Sequence, residues 1–385
     1  MSTGTLFQTT GRIVRGAGCL ARVPQEVARL RRKRAMIITD PGIVATGMIA
    51  RLSELLTQAG IAVALFDAVE PDPRLQLASL AAEQLRASGS DVVIGIGGGS
   101  AIDIAKVAAV LVTNSQPIAT LFGIDLVPQP GLPLLVIPTT AGTGSEVTPI
   151  AILSDEEEKL KKGIVSPYLF PTVAVLDPEL TVGLPPMVTA ATGMDALIHA
   201  MEAYTSKNAD RLSDLFACQA MRLLYDNIRK AYNDGGDIAA RGDMLEGSML
   251  AGIAFANAGV TAVHAFAYPI GAEFHIPHGI ANSLMLVPVM EFNMVAGPQR
   301  FADIAAIFGE DVAGLSAPEA ARRAMEAIRR LTVDLNLPRK LSQYGVKDSD
   351  VDGLAAGVMK VTRLLANNPR QLTVEDAKAI YRQVL

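Results

Sequence analysis

The chain has 385 residues, half of them hydrophobic, a formal charge of −5 and two cysteines. That is enough apolar chain for two domains with cores of their own, and an acidic balance without a concentrated basic face argues against nucleic acid as a partner. Cys19 and Cys218 lie too far apart in sequence to suggest a disulfide framework. The N-terminus lacks a basic region followed by an apolar one, and no stretch approaches the roughly 18 uninterrupted apolar residues of a membrane span. A cytoplasmic protein that does not enter membranes is the expectation.

In chain order, Arg12 to Arg22 alternates weakly and suits a hairpin or edge strand, and the basic run Arg31 to Arg34 reads as a solvated helix end. Ala35 to Asp40 is a buried strand, followed by an amphipathic helix to about Gln58 and a strand over Ile61 to Phe66. A helix over Arg74 to Ser88 leads to a strand at Asp91 to Ile96, and Gly97-Gly98-Gly99-Ser100 turns it into a helix. Further strands are expected at Leu134 to Ile137, Ile150 to Ser154 and Val173 to Asp177, with the charge cluster Asp155 to Lys162 as an exposed turn. Apolar strands alternating with helices indicate a parallel sheet covered on both faces. After Gly183-Leu184-Pro185-Pro186 the chain becomes rich in Ala, Met, Leu and Glu at helical spacing, with breaks expected at Gly235-Gly236, Pro269, Pro277 and Pro338. The fold class is therefore an α/β, Rossmann-like domain over 1–185 and an all-α domain over 186–385.

A strand delivering Gly97, Gly98, Gly99 and Ser100 into a helix N-terminus places free backbone N–H groups and the positive end of a helix dipole together, which is an anion site. The usual dinucleotide fingerprint has G-x-G-x-x-G after the first strand and an acid some 20 residues later. Here the acid at a strand end, Asp40, comes first. It can still take both hydroxyls of an adenosine ribose and repel a 2′-phosphate, favouring NAD over NADP. A second strand-end loop, Pro138 to Thr148, offers hydroxyls at Thr139, Thr140, Thr143 and Ser145 with two glycines. Two such loops at the ends of parallel strands favour a dinucleotide over a lone phosphate.

Asp195 and His199 stand four apart in a helical run, on one face. The other three histidines, His264, His275 and His278, fall in one segment. Asp195, His199, His264 and His278 are the expected ligands of a divalent metal, with His278 preferred over His275 because Pro277 and Gly279 constrain it. One carboxylate and three imidazoles suit Fe²⁺ or Zn²⁺ better than Mg²⁺ or Ca²⁺, and such a metal acts as a Lewis acid on a substrate oxygen. A closed structural zinc site usually carries cysteine, and neither cysteine is near a histidine.

Gly97-Gly98-Gly99-Ser100-Ala-Ile-Asp103-Ile-Ala-Lys106, the Pro138 to Thr148 loop, Gly193-Met-Asp195 through His199 to Glu202-Ala-Tyr204, and Pro277-His278-Gly279 together resemble the iron-containing (group III) alcohol dehydrogenases over nearly the whole chain. The glycine turn by itself is also similar to glycerol dehydrogenases and dehydroquinate synthases, which share this architecture. The resemblance implies NAD between the two domains, a homodimer, and conversion of a small alcohol, primary or short-chain, to its aldehyde. It puts the metal ligands on Asp195, His199, His264 and His278. It puts cofactor contacts on Asp40, Gly98, Ser100, Asp103, Thr139, Thr140 and Thr143, with Ser145 and Lys161 as further ones. Tyr268 departs from the pattern: many members carry a histidine there, thought to relay protons. Tyr268 also resembles the hydroxyacid-oxoacid transhydrogenases, which makes that activity the alternative; a lyase and a non-catalytic metal-binding scaffold are weaker readings.

Overall fold

The computed structural model describes residues 5–155 and 160–385. They form two compact units, Thr9–Gly183 and Leu184–Leu385, with residues 5–8 belonging to the second.

Among the described residues nine strands form: β1 (Ile13–Arg15), β2 (Arg34–Ile38), β3 (Ala62–Phe66), β4 (Val92–Gly97), β5 (Gly123–Ile124), β6 (Leu134–Pro138), β7 (Ile150–Asp155), β8 (Leu160–Val165) and β9 (Val173–Leu176). Six of them make one sheet in the order β1-β9-β6-β4-β2-β3, every neighbouring pair parallel. β4, β6 and β9 are buried along their whole length, because a parallel sheet is covered on both faces and its central strands have no polar side. The first unit also contains α1 (Val23–Arg29), α2 (Pro41–Ala45), α3 (Met48–Gln58), α4 (Leu75–Ala87) and α5 (Gly99–Leu111). One face of the sheet packs Ile37, Ile94, Ile137 and Val175 against Val27 of α1 and Leu52 and Leu56 of α3. α5 packs on β4 and β6, and Gly95 makes the approach possible: a Cβ there would lie 2.7 Å from that of Ala105.

From β2 the chain moves outward to β3, then returns across β2 to β4 and continues the other way through β6 and β9. The direction reverses between β2 and β4, and at such a switch point the strands' C-terminal ends leave a crevice for ligands. β2 runs into Asp40 and β4 into the glycine turn.

Of the hairpin and the edge strand expected over Arg12 to Arg22, the edge strand forms, as β1, parallel to the distant β9. The charge cluster read as a turn includes residues 156–159, which lie outside the described residues. Lys161 and Lys162, however, belong to β8, antiparallel to β7 with Lys161 opposite Ser154. Their charges mask a strand whose hydrogen-bond partner is what defines it. β5 completes that small sheet beside β8, and two residues carry no periodicity to read.

The second unit is built from α6 (Pro186–Thr205), α7 (Arg211–Asn233), α8 (Ile238–Ala258), α9 (Ala262–Phe274), α10 (His278–Asn293), α11 (Pro298–Ile307), α12 (Ala317–Asp334), α13 (Val351–Lys360), α14 (Thr362–Asn367) and α15 (Val374–Arg382). Phe7 stacks on Phe216 with ring centroids 5.6 Å apart, and the Asn257 side chain bonds both the N–H and the carbonyl of Gln8, so residues 5–8 are tied to these helices. Pro269 does not break the chain here; it lies inside α9. A proline ring crowds the helix and removes one N–H, and the turn before it is bonded from outside: the Tyr381 hydroxyl donates to the Phe266 carbonyl at 2.8 Å. α10 with the turn after it, His278–Ala296, is apolar and long enough to cross a membrane by composition, but most of that stretch is buried, α10 lying against α6, α9, α12 and α15.

Candidate functional site

In the helical unit, Pro186 opens α6 where a missing N–H costs nothing, and the helix runs through the interior between α7, α8 and α10. Asp195 and His199 share its inward face, both more than nine-tenths buried. The His199 ring is stacked between Phe255, centroids 4.4 Å apart, and His264, 4.6 Å apart. Ligand atoms of Asp195, His199 and His264 all lie within 4.8 Å of one another.

His264 is aimed by its neighbours. Its Nδ1 is in a short contact with Glu202 Oε2, while Glu202 Oε1 accepts from Thr261 N, Thr261 Oγ1 and Val263 N at 3.1, 2.6 and 2.7 Å. Glu202 therefore caps the start of α9 with a carboxylate, which the helix dipole favours, and directs the proton of His264 to Nδ1. That leaves Nε2 facing Asp195 Oδ1 at 3.6 Å, beyond a hydrogen bond and without a hydrogen-bond partner among the described residues.

His278, at the start of α10, is half-buried, its Nε2 3.8 Å from the same Asp195 oxygen. Asn282, one turn further along α10, donates from Nδ2 to Asp195 Oδ1 at 2.7 Å and approaches His278 Nε2 at 3.1 Å. The three-residue cluster thus stands at the centre with His278 at its open side. His275 is exposed, in a left-handed turn after α9, and is not brought in. Tyr268 lies one turn after His264, its ring centroid 6.2 Å from that of His278. Phe266 is wholly buried, tilted against Tyr381.

The electrostatics favour a cation. Burial raises the Asp195 carboxyl, but His199 and His278 outweigh it and hold the pKa well below the usual range. Burial pushes the His199 imidazole down to about 4, keeping it neutral with a lone pair to give. At His264 burial also disfavours charge, yet Glu202 and Asp195 more than offset it and bring the pKa up to about 9: the two carboxylates favour positive charge at this ring, which a metal at Nε2 would supply in place of the second proton. A buried carboxylate, imidazoles converging on it and an unpartnered Nε2 form a donor set that fits Fe²⁺ or Zn²⁺.

Glu202 and Asn282 are not among the expected ligands, yet their spacing points to them: Glu202 is three after His199 and seven after Asp195, and Asn282 four after His278, each on the ligand face of its helix. Outer-shell carboxylates typically contribute 10- to 100-fold to metal affinity. Glu202→Gln is expected to weaken Zn²⁺ binding by about that factor, measured by competition with a chelating dye; affinity within about twofold of wild type contradicts the orienting role.

In the α/β unit, parallel pairing sets the ends of β2, β4 and β6 side by side, with Ile38 beside Gly95 and Gly97 beside Pro138. Asp40, Gly97 to Ser100, and Thr139 to Ser145 are thereby neighbours. Asp40 caps α2, its Oδ1 accepting from Ile43 N at 3.0 Å. Gly97 has φ +146°, and a Cβ there would meet Ala101 at 2.8 Å and Asp40 Oδ2 at 3.3 Å; a Cβ on Gly99 would meet Thr143 Cγ2 at 2.7 Å. The glycines let three loops close on one point. At the N-terminus of α5 the cap residue Gly98 offers no side chain, so the first N–H groups remain available to an anion. This cradle fits a dinucleotide phosphate. Three of the expected contacts, Asp103, Ser145 and Lys161, have other partners: Asp103 Oδ1 accepts from Ser145 Oγ at 2.6 Å, and its Oδ2 from Ile152 N at 2.9 Å. Lys161, on β8, pairs with Asp72 at 2.6 Å.

Known proteins match both units of the chain. The family model "Iron-containing alcohol dehydrogenase" matches residues 10–178, and "Fe-containing alcohol dehydrogenase family, C-terminal" matches 189–385. Long-chain-alcohol dehydrogenase 1 of Geobacillus thermodenitrificans is 43% identical over 95% of this chain and 93% of its own. The crystal structure of a 1,3-propanediol oxidoreductase superposes with a TM-score of 0.97 at 37% identity, covering 100% of both chains. That of the sulfoacetaldehyde reductase of Bifidobacterium kashiwanohense, solved in complex with NAD⁺, superposes with a TM-score of 0.91 at 29% identity, covering 100% of this chain and 99% of its own. With matches that together span both units, the chain belongs to the iron-containing alcohol dehydrogenase family.

Proposed function

We propose that the chain interconverts a primary or short-chain alcohol and its aldehyde, with NAD as hydride acceptor and Fe²⁺, or Zn²⁺ in its place, held by Asp195, His199, His264 and His278. The observation that carries this is the buried Asp195, His199 and His264 cluster in a chain that also has the glycine cradle. When bound, the metal supplies Lewis acidity that eases deprotonation of an alcohol, and NAD supplies the hydride acceptor. The protein's own residues prepare the rest. Glu202 holds the His264 proton on Nδ1, Asn282 holds the Asp195 carboxylate, and Phe255 covers His199 and excludes water from it. Tyr268, beside His278, is the group proposed to pass the alcohol proton on.

Activity with a panel of alcohols, aldehydes and hydroxyacids, before and after chelation, tests the reading. Steady turnover of added NADH with an aldehyde alone separates it from a hydroxyacid-oxoacid transhydrogenase that retains NAD. The family resemblance also supports a homodimer in the cytoplasm, acting on small molecules without nucleic acid or membrane.

Asp40 sets the cofactor preference in this reading. Asp40→Ser keeps a side chain able to cap α2 and removes the charge that repels a 2′-phosphate. The ratio of kcat/KM for NADP to that for NAD is expected to rise about tenfold, the effect of relieving on the order of 1 kcal/mol of like-charge repulsion. An unchanged ratio would place the ribose elsewhere.

A further inference from the structure

We propose that Lys106 and Asp103 of α5 are positioning residues that lock the Pro138 to Thr148 loop onto the glycine turn, so that a dinucleotide meets a cradle already formed. The inference rests on the dinucleotide reading above and concerns residues that make the site without needing to touch the ligand.

Lys106 has no exposed surface. Its ammonium donates to the Thr148 carbonyl at 2.9 Å, the Ile150 carbonyl at 2.8 Å and Thr148 Oγ1 at 3.2 Å, three donors for three acceptors. One turn earlier on the same helix, Asp103 takes Ser145 Oγ and Ile152 N. Ser145 N in turn bonds Thr143 Oγ1 at 3.2 Å, and Thr143 is the residue against which Gly99 packs. The second loop is thus fastened at both its middle and its end to the helix whose first turn is the anion site.

Packing does not require this. A methionine fills a lysine's volume without the cost of taking an ammonium out of water, and breaking a buried charged contact is far more costly than never having built one. What the charge adds is geometry. Three polar atoms of the loop, on Ser145 and Thr148, and two at the start of β7, on Ile150 and Ile152, are each given one place, and a ligand that finds its site ordered is spared the entropy of ordering it.

Lys106→Met keeps the volume and leaves the Thr148 and Ile150 carbonyls unpartnered. The expected result is a rise of about tenfold in the NADH dissociation constant, read by fluorescence titration, and in KM for NAD⁺, with kcat at saturating NAD⁺ within about twofold of wild type. Amide exchange over 143–152 becomes faster in the enzyme without cofactor. General destabilisation would lower kcat with the folded fraction and leave KM unmoved. Should Lys106→Met fail to fold, Ser145→Ala severs only the Asp103 link and is expected to raise KM for NAD⁺ about threefold with faster exchange over 143–147. Variants that bind NADH as wild type does, or whose loop exchanges at the wild-type rate, overturn the inference while the dinucleotide reading stands. A wild-type enzyme that does not bind NADH overturns both.

Discussion

His264→Ala is expected to lower metal affinity by more than the roughly 10- to 100-fold that loss of an outer-shell partner costs, and kcat by about 100- to 1,000-fold, the scale on which one lost electrostatic stabiliser acts. The ring it removes is buried, held through Nδ1 by Glu202 and presents an Nε2 with no hydrogen-bond partner among the described residues toward Asp195. No other histidine can replace it. His275, the nearest spare, is exposed beyond the end of α9. The matching control is His275→Asn, which suits the left-handed backbone there (φ +53°) and is expected to leave metal content and activity unchanged. Elemental analysis of the purified proteins, with kcat measured after reloading with Fe²⁺ or Zn²⁺, checks the pair. Full metal content in His264→Ala would remove the basis of the proposed metal centre.

The second large effect is expected from the smallest change. In Gly279→Ala the added Cβ would lie 2.3 Å from the backbone oxygen of Ala191 and 2.7 Å from its carbonyl carbon. No side chain can turn aside to admit it, so either α6 or α10 must move. Ala191 is one turn before Asp195 on α6, and Gly279 follows His278 on α10. The shift therefore separates the carboxylate from the imidazole that now stands 3.8 Å away and disturbs Asn282, which bridges them. Overpacking of this kind typically costs about 1–3 kcal/mol, which in a unit of some 200 residues lowers the melting midpoint by about 2–10 °C. Calorimetry and metal content are expected to fall together. A variant with the wild-type midpoint would mean that the two helices do not approach as closely as the structure has them.

Local pattern was enough for much of this protein. The apolar strands, the spacing of Asp195 and His199, the glycine turn and the preference for His278 over His275 all depend on neighbours within a few residues, and side-chain periodicity, helix spacing and Pro or Gly constraints act at that range. Glu202 and Asn282 were legible on the same grounds, since each lies on the ligand face of its helix. Other features depended on groups far away in sequence, to which a single segment carries no pointer. β1 is a strand because β9, some 160 residues later, supplies its hydrogen bonds, and Lys161 and Lys162 are in one because β7 runs beside them. Pro269 sits within α9, with Tyr381 bonded to the turn before it and Gly357 packed against its ring. Asp103, expected as a cofactor contact, also takes Ser145 Oγ and Ile152 N, groups more than 40 residues away. Composition and periodicity determined most of the elements and the faces on which the candidate ligands stand; the packing of distant segments decided the remaining strands and how those faces meet, because hydrogen bonds and van der Waals contacts act between atoms in space and take no account of their order along the chain.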